Sequence, residues 1–481
     1  MATRVLSFVV LAALLAGFSP DAPAQTLASG ESSMLRPPPV NDTGYSGQVG
    51  SEKRSNYFRL GVLFRTAYID NLYPGSSISG STSPIGETIY SIYPTIAFDA
   101  VTYRSDITFT YNPGFSFYHP TSTLNEIDQN ASVAYSLRLT PHVAFHVSDR
   151  FVKTSTSFGP TSPLGDGSIP TPAPSSTVVV PPYAQLLTNV ASGGLDYQFR
   201  PTGMIGISGI ISNLHYPDLA QVPGLYDSSE RGGGFFYSHR IADTQYLGAN
   251  YRYAQTVQTP TGEQFETQTH TVYFFYTIYL QKHLSVSVSG GPQYYETTQS
   301  STVTSNSPAS ALTTSRGWQA NQMTLAEPEQ AASDQVSVPS GSAWTPAFAT
   351  SMDWQRPHTN FVASYARTVT SGGGLVGTYS SNSAGATARW QMARTWTAGA
   401  GANYSIIKVV SPFLFSSTSG GHTIAGTLTV EHPLSQHFTS TFEYDHLHQS
   451  YGGIAVISAN PDSNRFSGSI SWQFSRPLGG R

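Results

Sequence analysis

FETQTHTVYFFYTIYLQKHLSVSVSGGPQYYE, residues 265–296, decides how the rest of the chain is read. Two β-prone runs flank the tripeptide Gln281-Lys282-His283. In the second run Leu284, Val286, Val288 and Gly290 alternate with Ser285, Ser287, Ser289 and Gly291. A period of 2 gives a strand one apolar face and one small, polar face. In the first run Val272, Phe274, Tyr276, Ile278 and Leu280 share one parity. A soluble core helix of this length would spread its apolar residues over a 3.6 period, and this run does not. Each arm has about 15 residues, more than the roughly 9–11 a tilted strand needs to cross a bilayer. The stretch therefore reads as a transmembrane β-hairpin with a short turn at one end.

Composition selects the same solvent. Charged residues make up 11% of the 481 and aromatics 12%, with 28 Tyr and 25 Phe. Soluble proteins carry about 25% charge. After the N-terminus no run of 18 apolar residues occurs, which rules out helical spans. The N-terminus itself reads as a secretory signal: Arg4, an apolar Val5–Phe18, then Ala22-Pro23-Ala24 with cleavage expected after Ala24. The absence of Cys removes a lipid-anchored N-terminus, disulfides and thiolate metal sites. A net charge of −4 gives no reason to expect nucleic acid.

Working outward from the hairpin, Gln25–Asn56 is polar and aperiodic and reads as a flexible periplasmic segment. From Tyr57 the hairpin pattern repeats. Tyr57–Ile69 sets Phe58, Leu60, Val62, Phe64 and Tyr68 against Arg59, Gly61 and Arg65. Thr88–Val101, Asp106–Tyr118, Glu126–Leu139, His142–Lys153, Gln185–Phe199, Gly203–Tyr216, Gly233–Arg240 and Thr244–Val257 precede the founding hairpin. Ala343–Trp354, Thr359–Thr370, Ser380–Gln391, Thr395–Val409, His422–Glu431, Gln436–His448 and Ser463–Phe474 follow it. The expected fold is all-β: a transmembrane antiparallel up-and-down β-barrel of about 18 strands over 57–476, with 16 as the alternative and 477–481 as a tail.

Short junctions with Arg or His beside Pro recur, as in Thr140-Pro141-His142 and Arg356-Pro357-His358, and place both ends of the barrel on the short-turn side. Two long loops stand out at the other end, Ser155–Pro182 and Thr298–Ser342. Pro94, Pro113 and Pro346 fall inside expected strands, where each calls for a bulge. Asp149 and Lys153 fall on the outward parity of theirs, which calls for a bulge or a position above the hydrocarbon.

The signal segment, the hairpin array and a last strand alternating Phe466, Gly468, Ile470, Trp472 and Phe474 resemble the β-barrel porin families of Gram-negative bacteria. Those families include barrels that accompany exopolysaccharide export. The resemblance is architectural and implies an outer-membrane location, contact with outer-membrane lipids, and recognition of the last strand by the barrel-assembly machinery.

An 18-stranded barrel leaves an aqueous lumen. Inward charges would be Arg59, Arg65, Arg138, Arg252 and Arg389, set against Asp106, Asp196, Asp353 and Glu443, either as opposed rows at a constriction or as solvated side chains. His446 and His448, at i and i+2, are metal-ligand candidates without an identifiable third ligand. Tyr68, Tyr118, Tyr216, Trp344, Trp354 and Trp396 read as interfacial girdles. With no G-x-S-x-G, H-E-x-x-H or phosphate-loop pattern, neither enzyme nor cofactor is expected. The leading expectation is a passive pore for small hydrophilic solutes, narrowed by the third or sixth long loop. A polysaccharide export channel and a non-conducting surface platform remain as alternatives, and the oligomeric state, monomer or trimer, stays open.

Overall fold

A computed structural model describes residues 56–72, 86–156, 183–219, 224–260, 263–281, 283–302, 335–370, 374–410, 420–452 and 462–477. Among them, eighteen strands form one antiparallel sheet. These are β1 (Tyr57–Ile69), β2 (Glu87–Val101), β3 (Ser105–His119), β4 (Glu126–Thr140), β5 (Val143–Thr156), β6 (Tyr183–Arg200), β7 (Gly203–His215), β8 (Ser228–Ala242) and β9 (Gln245–Gln258). Next come β10 (Glu263–Gln281), β11 (Leu284–Thr302), β12 (Gln335–Arg356), β13 (Thr359–Thr370), β14 (Tyr379–Gln391), β15 (Thr397–Val409), β16 (Gly420–Pro433), β17 (Phe438–Gly452) and β18 (Asp462–Pro477). Each strand pairs with its neighbours in sequence, and β1 pairs with β18 from Tyr57↔Pro477 to Ile69↔Arg465. The sheet is closed and keeps no free edge, as a lipid environment demands of backbone N–H and C=O groups. Short connections join β2–β3, β4–β5 and each later even–odd pair, on the side where β1 starts and β18 ends.

The deciding hairpin is β10–β11. Phe274 faces Gly290, Tyr276 faces Val288 and Ile278 faces Val286, while Phe275, Thr277 and Tyr279 face Ser289, Ser287 and Ser285. The first set points outward and the second into the barrel. On the outside Phe274 is 61% exposed and Phe442 63%, and Phe64, Tyr90, Phe117, Ile207, Leu428 and Phe466 are exposed with them. An apolar surface running round a closed sheet is too large for a protein in water. With polar residues within, it makes a membrane-spanning barrel.

Three sequence expectations change. No bulge accommodates Pro94 and Pro113: the β2–β3 ladder breaks between Ile92↔Phe115 and Ile96↔Tyr111 and resumes in the same register. The two prolines lie opposite one another, so their missing donors fall in one gap. Pro346 faces Pro292 on β11 and lies beyond Phe348↔Arg367, the last rung between β12 and β13, where its ring removes no hydrogen bond. Asp149 also needs no bulge. It pairs in register with Val133 and Ala191 on the outer wall and accepts a 2.9 Å hydrogen bond from Asn189 Nδ2.

The third change concerns the sixth long loop. Residues 298–302 and 335–342 continue β11 and β12 rather than forming loop; the segment between them, like most of the third long loop, lies outside the described residues. In consequence β10, β11 and β12 have 19, 19 and 22 residues, where β9 and β13 beside them have 14 and 12. At roughly 3.3 Å per residue the three rise on the order of 20 Å further along the strand. A bulge at Thr297/Thr298, with Gly341 at φ 149°, bends this tall wall.

Candidate functional site: the lumen and its strapped mouth

The pairing register places all nine charge candidates on the inward parity, and it sets most of them beside partners on the same wall. Arg59 bonds Asp99 at 2.5 Å, Arg252 bonds Glu230 at 3.3 Å and Arg389 bonds Glu431 at 3.3 Å. Each of these arginines is held by an acid on an adjacent strand or the next but one. Asp353 accepts from Gln355 at 2.9 Å, and Asp196 stands 3.8 Å from His146 Nδ1. Arg138 and Asp106 sit diagonally at the short-turn rim, across the β3–β4 rungs Ser105↔Leu137 and Asp106↔Ser136. The candidates thus form local pairs, and the structure does not assemble them into two opposed rows.

The densest charge lies at the closure of the barrel. Arg465 of β18 donates to Asp445 at 2.7 and 2.9 Å and to Glu443, all three side chains nearly buried. Arg65 of β1 donates to the Tyr93 hydroxyl of β2 at 2.7 Å and lies 5.0 Å from the centre of its ring. Four consecutive strands, β17, β18, β1 and β2, are linked by this cluster.

Burial within the lumen is lopsided. Inward residues of β1–β3, β10–β11 and β16–β18 are largely buried, whereas Ala134, Ser136, Arg150, Ser208 and Ser364 on β4, β5, β7 and β13 are exposed. The difference at the long-loop mouth has a visible cause. Residues 374–378, between β13 and β14, fold inward as a strap against the inner face of the tall wall. Gln258 at the end of β9 donates to Leu375 O at 2.5 Å and accepts from Gly377 N at 3.0 Å. Thr378 Oγ1 sits between Thr267 Oγ1 at 2.8 Å and Thr297 Oγ1 at 2.6 Å. Gln293 of β11 accepts from Val369 N at 2.8 Å, at the tip of β13. Tyr226 N, preceding β8, donates to Gly374 O at 2.8 Å.

Apolar contact completes the crossing. Leu375 packs with Tyr379, Ile407 and Tyr451 and with Leu214, Tyr216 and Leu225 from β7 and the segment after it, nearly half the barrel's circumference away. Gly374 and Gly377 take φ values of 96° and 114°, in the left-handed region that favours glycine. A Cβ at Gly374 would also lie 2.8 Å from the Tyr216 hydroxyl.

Other expectations resolve plainly. His446 and His448 face outward on β17; His448 Nδ1 meets Asp462 Oδ1 at 2.8 Å and His446 Nδ1 meets Asn464 Oδ1 at 2.8 Å. Among the described residues no group of three His, Asp or Glu is arranged to hold a metal ion. Tyr68, Trp344 and Trp396 are exposed on the outside, and Trp354 lies on the outward parity beside Leu284. Tyr118 and Tyr216 do not join them: both are buried inside, Tyr118 donating to Glu126 at 3.1 Å. Their rings belong to two separate apolar clusters on the inner face, where apolar packing replaces the membrane interface.

Sequence reading missed the strap, both glutamines, and the partners Asp99, Glu230, Glu431, Asp445 and Arg465. Parity alone marks Asp99, Glu431, Asp445 and Arg465 as inward. Glu230 escaped because the strand expected over Gly233–Arg240 in fact begins at Ser228.

No protein-family model matches the chain, and no curated protein sequence is similar to it. The chain is similar in part to solved structures that are far from it in sequence. The open form of the ferric-catecholate import receptor Fiu from E. coli K12 aligns at TM-score 0.42 and 9% identity over 88% of this chain and 82% of the receptor. The unliganded ferric citrate transporter FecA aligns at 0.43 and 13%, over 86% and 63%. OccK2 (OpdF) of Pseudomonas aeruginosa aligns at 0.40 and 8%, over 88% and 98%.

Proposed function

We propose that the chain is a channel of the Gram-negative outer membrane through which small hydrophilic solutes diffuse passively, narrowed at its long-loop mouth by the strap. The observation that carries this reading is a closed eighteen-stranded wall, apolar outside and lined with hydroxyls and paired charges inside. Barrels of about 16–18 strands are wide enough for an aqueous lumen, and the exposed inward residues of β4, β5, β7 and β13 supply a wetted side for passage. Outer-membrane lipids would contact the apolar belt, and the assembly machinery would receive β18. A constriction falls to 374–378; most of the third and sixth long loops, the narrowing elements expected from the sequence, lies outside the described residues.

The same strap favours a second reading, a lumen shut at rest and opened by partners, as export of a polysaccharide would require. Planar-bilayer recording separates the two. A passive channel gives steady openings as purified, enlarged in the double variant Gln258→Ala/Gln293→Ala. A lumen shut at rest is silent until the strap is released. Silence in both forms contradicts transport and leaves a surface platform.

A further inference from the structure

We infer that the solutes this lumen passes are uncharged and rich in hydroxyl groups, such as polyols and small sugars. The inference rests on the channel reading and adds to it a substrate class. Its basis is the way the wall's charges are disposed. Arg59–Asp99, Arg252–Glu230 and Arg389–Glu431 are closed within one wall at 2.5 to 3.3 Å. Such a pair acts on a passing ion as a short dipole, whose field fades well within the Debye length of about 8 Å. No described stretch of the wall sets a row of one sign across from a row of the other. Beside these pairs an ion would shed water without gaining a net countercharge, which is unfavourable.

A neutral hydroxyl-bearing solute meets the opposite situation. A facing pair of hydroxyls stands on the wetted side, Ser148 with Ser192 at 2.8 Å, while the pairs Thr277 with Ser287 and Ser91 with Ser116 lie buried behind other inward side chains. Either member of the Ser148–Ser192 pair can donate. A hydroxyl both donates and accepts, so a solute hydroxyl can replace either partner without leaving an orphan. At the short-turn end the inward rings of Tyr246 and Tyr279 meet edge to face at 5.8 Å, offering a surface for the C–H face of a ring-shaped solute.

The test uses the full chain and the Gln258→Ala/Gln293→Ala form, so that the strap cannot mask the wall. In a KCl gradient the chloride-to-potassium permeability ratio should lie within about twofold of unity. Liposomes should take up glucose faster than gluconate or glucosamine. Replacing Glu431 by Gln leaves Arg389 without its acid at a site about one-third exposed, where the barrel still folds. That variant should shift the ratio toward chloride by about threefold, and Arg389→Gln should shift it toward potassium. Conductance with a ratio beyond about tenfold in either direction, or gluconate or glucosamine entering as fast as glucose, overturns this inference and leaves the channel standing. So does a ratio that Glu431→Gln fails to move. Absence of both conductance and uptake in both forms overturns the channel reading and this inference with it.

Discussion

The closure of the barrel and its strapped mouth are both places where distant parts of the chain meet inside the lumen, and they are joined by different chemistry. At the closure Arg465 is shared between Asp445 and Glu443, and Arg65 reaches across to Tyr93; these charged groups lie on rigid, fully paired strands. At the mouth the bonds are neutral: the Gln258 amide and the Thr267 and Thr297 hydroxyls grip a loop with glycines at both bends, and Gln293 holds the tip of β13 before it. A buried charge left without its partner costs about 3–5 kcal/mol, so the closure is permanent. A neutral hydrogen bond contributes about 1 kcal/mol net, because water replaces it. The strap can therefore part from the wall without unfolding it.

Substitutions can break or sharpen that contrast. Arg465→Met should have the largest effect, lowering stability by roughly 3–5 kcal/mol as Glu443 and Asp445 lose their counterion. The heat-modifiable band on a denaturing gel would convert at a markedly lower temperature. Next, Val286→Arg places a charge in the lipid-facing wall two residues from the short-turn end of β11 and should cost up to about 2 kcal/mol. Ser285→Arg, one residue away, meets Asp353 directly across β12 and should cost less than about 1 kcal/mol. Equal costs in urea unfolding would refute the assignment of faces.

The Gln258→Ala/Gln293→Ala pair should lower stability by only about 2 kcal/mol while raising conductance severalfold. A loss as large as that of Arg465→Met would make the strap part of the barrel's framework rather than a separable element. Asp149→Ala should have the smallest effect. The carboxylate faces outward, where ionised groups are unfavourable, so its removal should raise stability by up to about 1 kcal/mol. A drop would mean that its bond to Asn189 outweighs that penalty.

What was legible in the sequence followed from period and parity. Leu284, Val286 and Val288 against Ser285, Ser287 and Ser289 already separate lipid from lumen, and the same alternation placed Arg59, Asp196 and Glu443 inside. Parity says which wall face a residue takes, but not which residue lies beside it on the next strand. That depends on register, so Arg389 and Glu431 could be placed inside without being recognised as a pair. Ser371-Gly372-Gly373-Gly374-Leu375-Val376-Gly377-Thr378 gives no periodic signal at all. The place of 374–378 in the lumen comes from Gln258, more than 115 residues away in sequence. Tyr118 and Tyr216 looked like girdle residues because Tyr at a strand end suits a membrane interface and a plugged lumen equally well.

The central claim is a water-filled lumen behind a lipid-facing wall, and the chain's lack of cysteine gives a clean background for testing it. Ile207 and Ser208 are adjacent on β7, both exposed, the first on the outward parity and the second on the inward. Single Ser208→Cys and Ile207→Cys proteins in liposomes would be treated with a charged, water-soluble thiol reagent during current recording. The account predicts that Ser208→Cys is labelled and its current falls, while Ile207→Cys reacts only with a lipid-soluble reagent and keeps its current. Rapid labelling of Ile207→Cys by the water-soluble reagent, with Ser208→Cys protected, would contradict it.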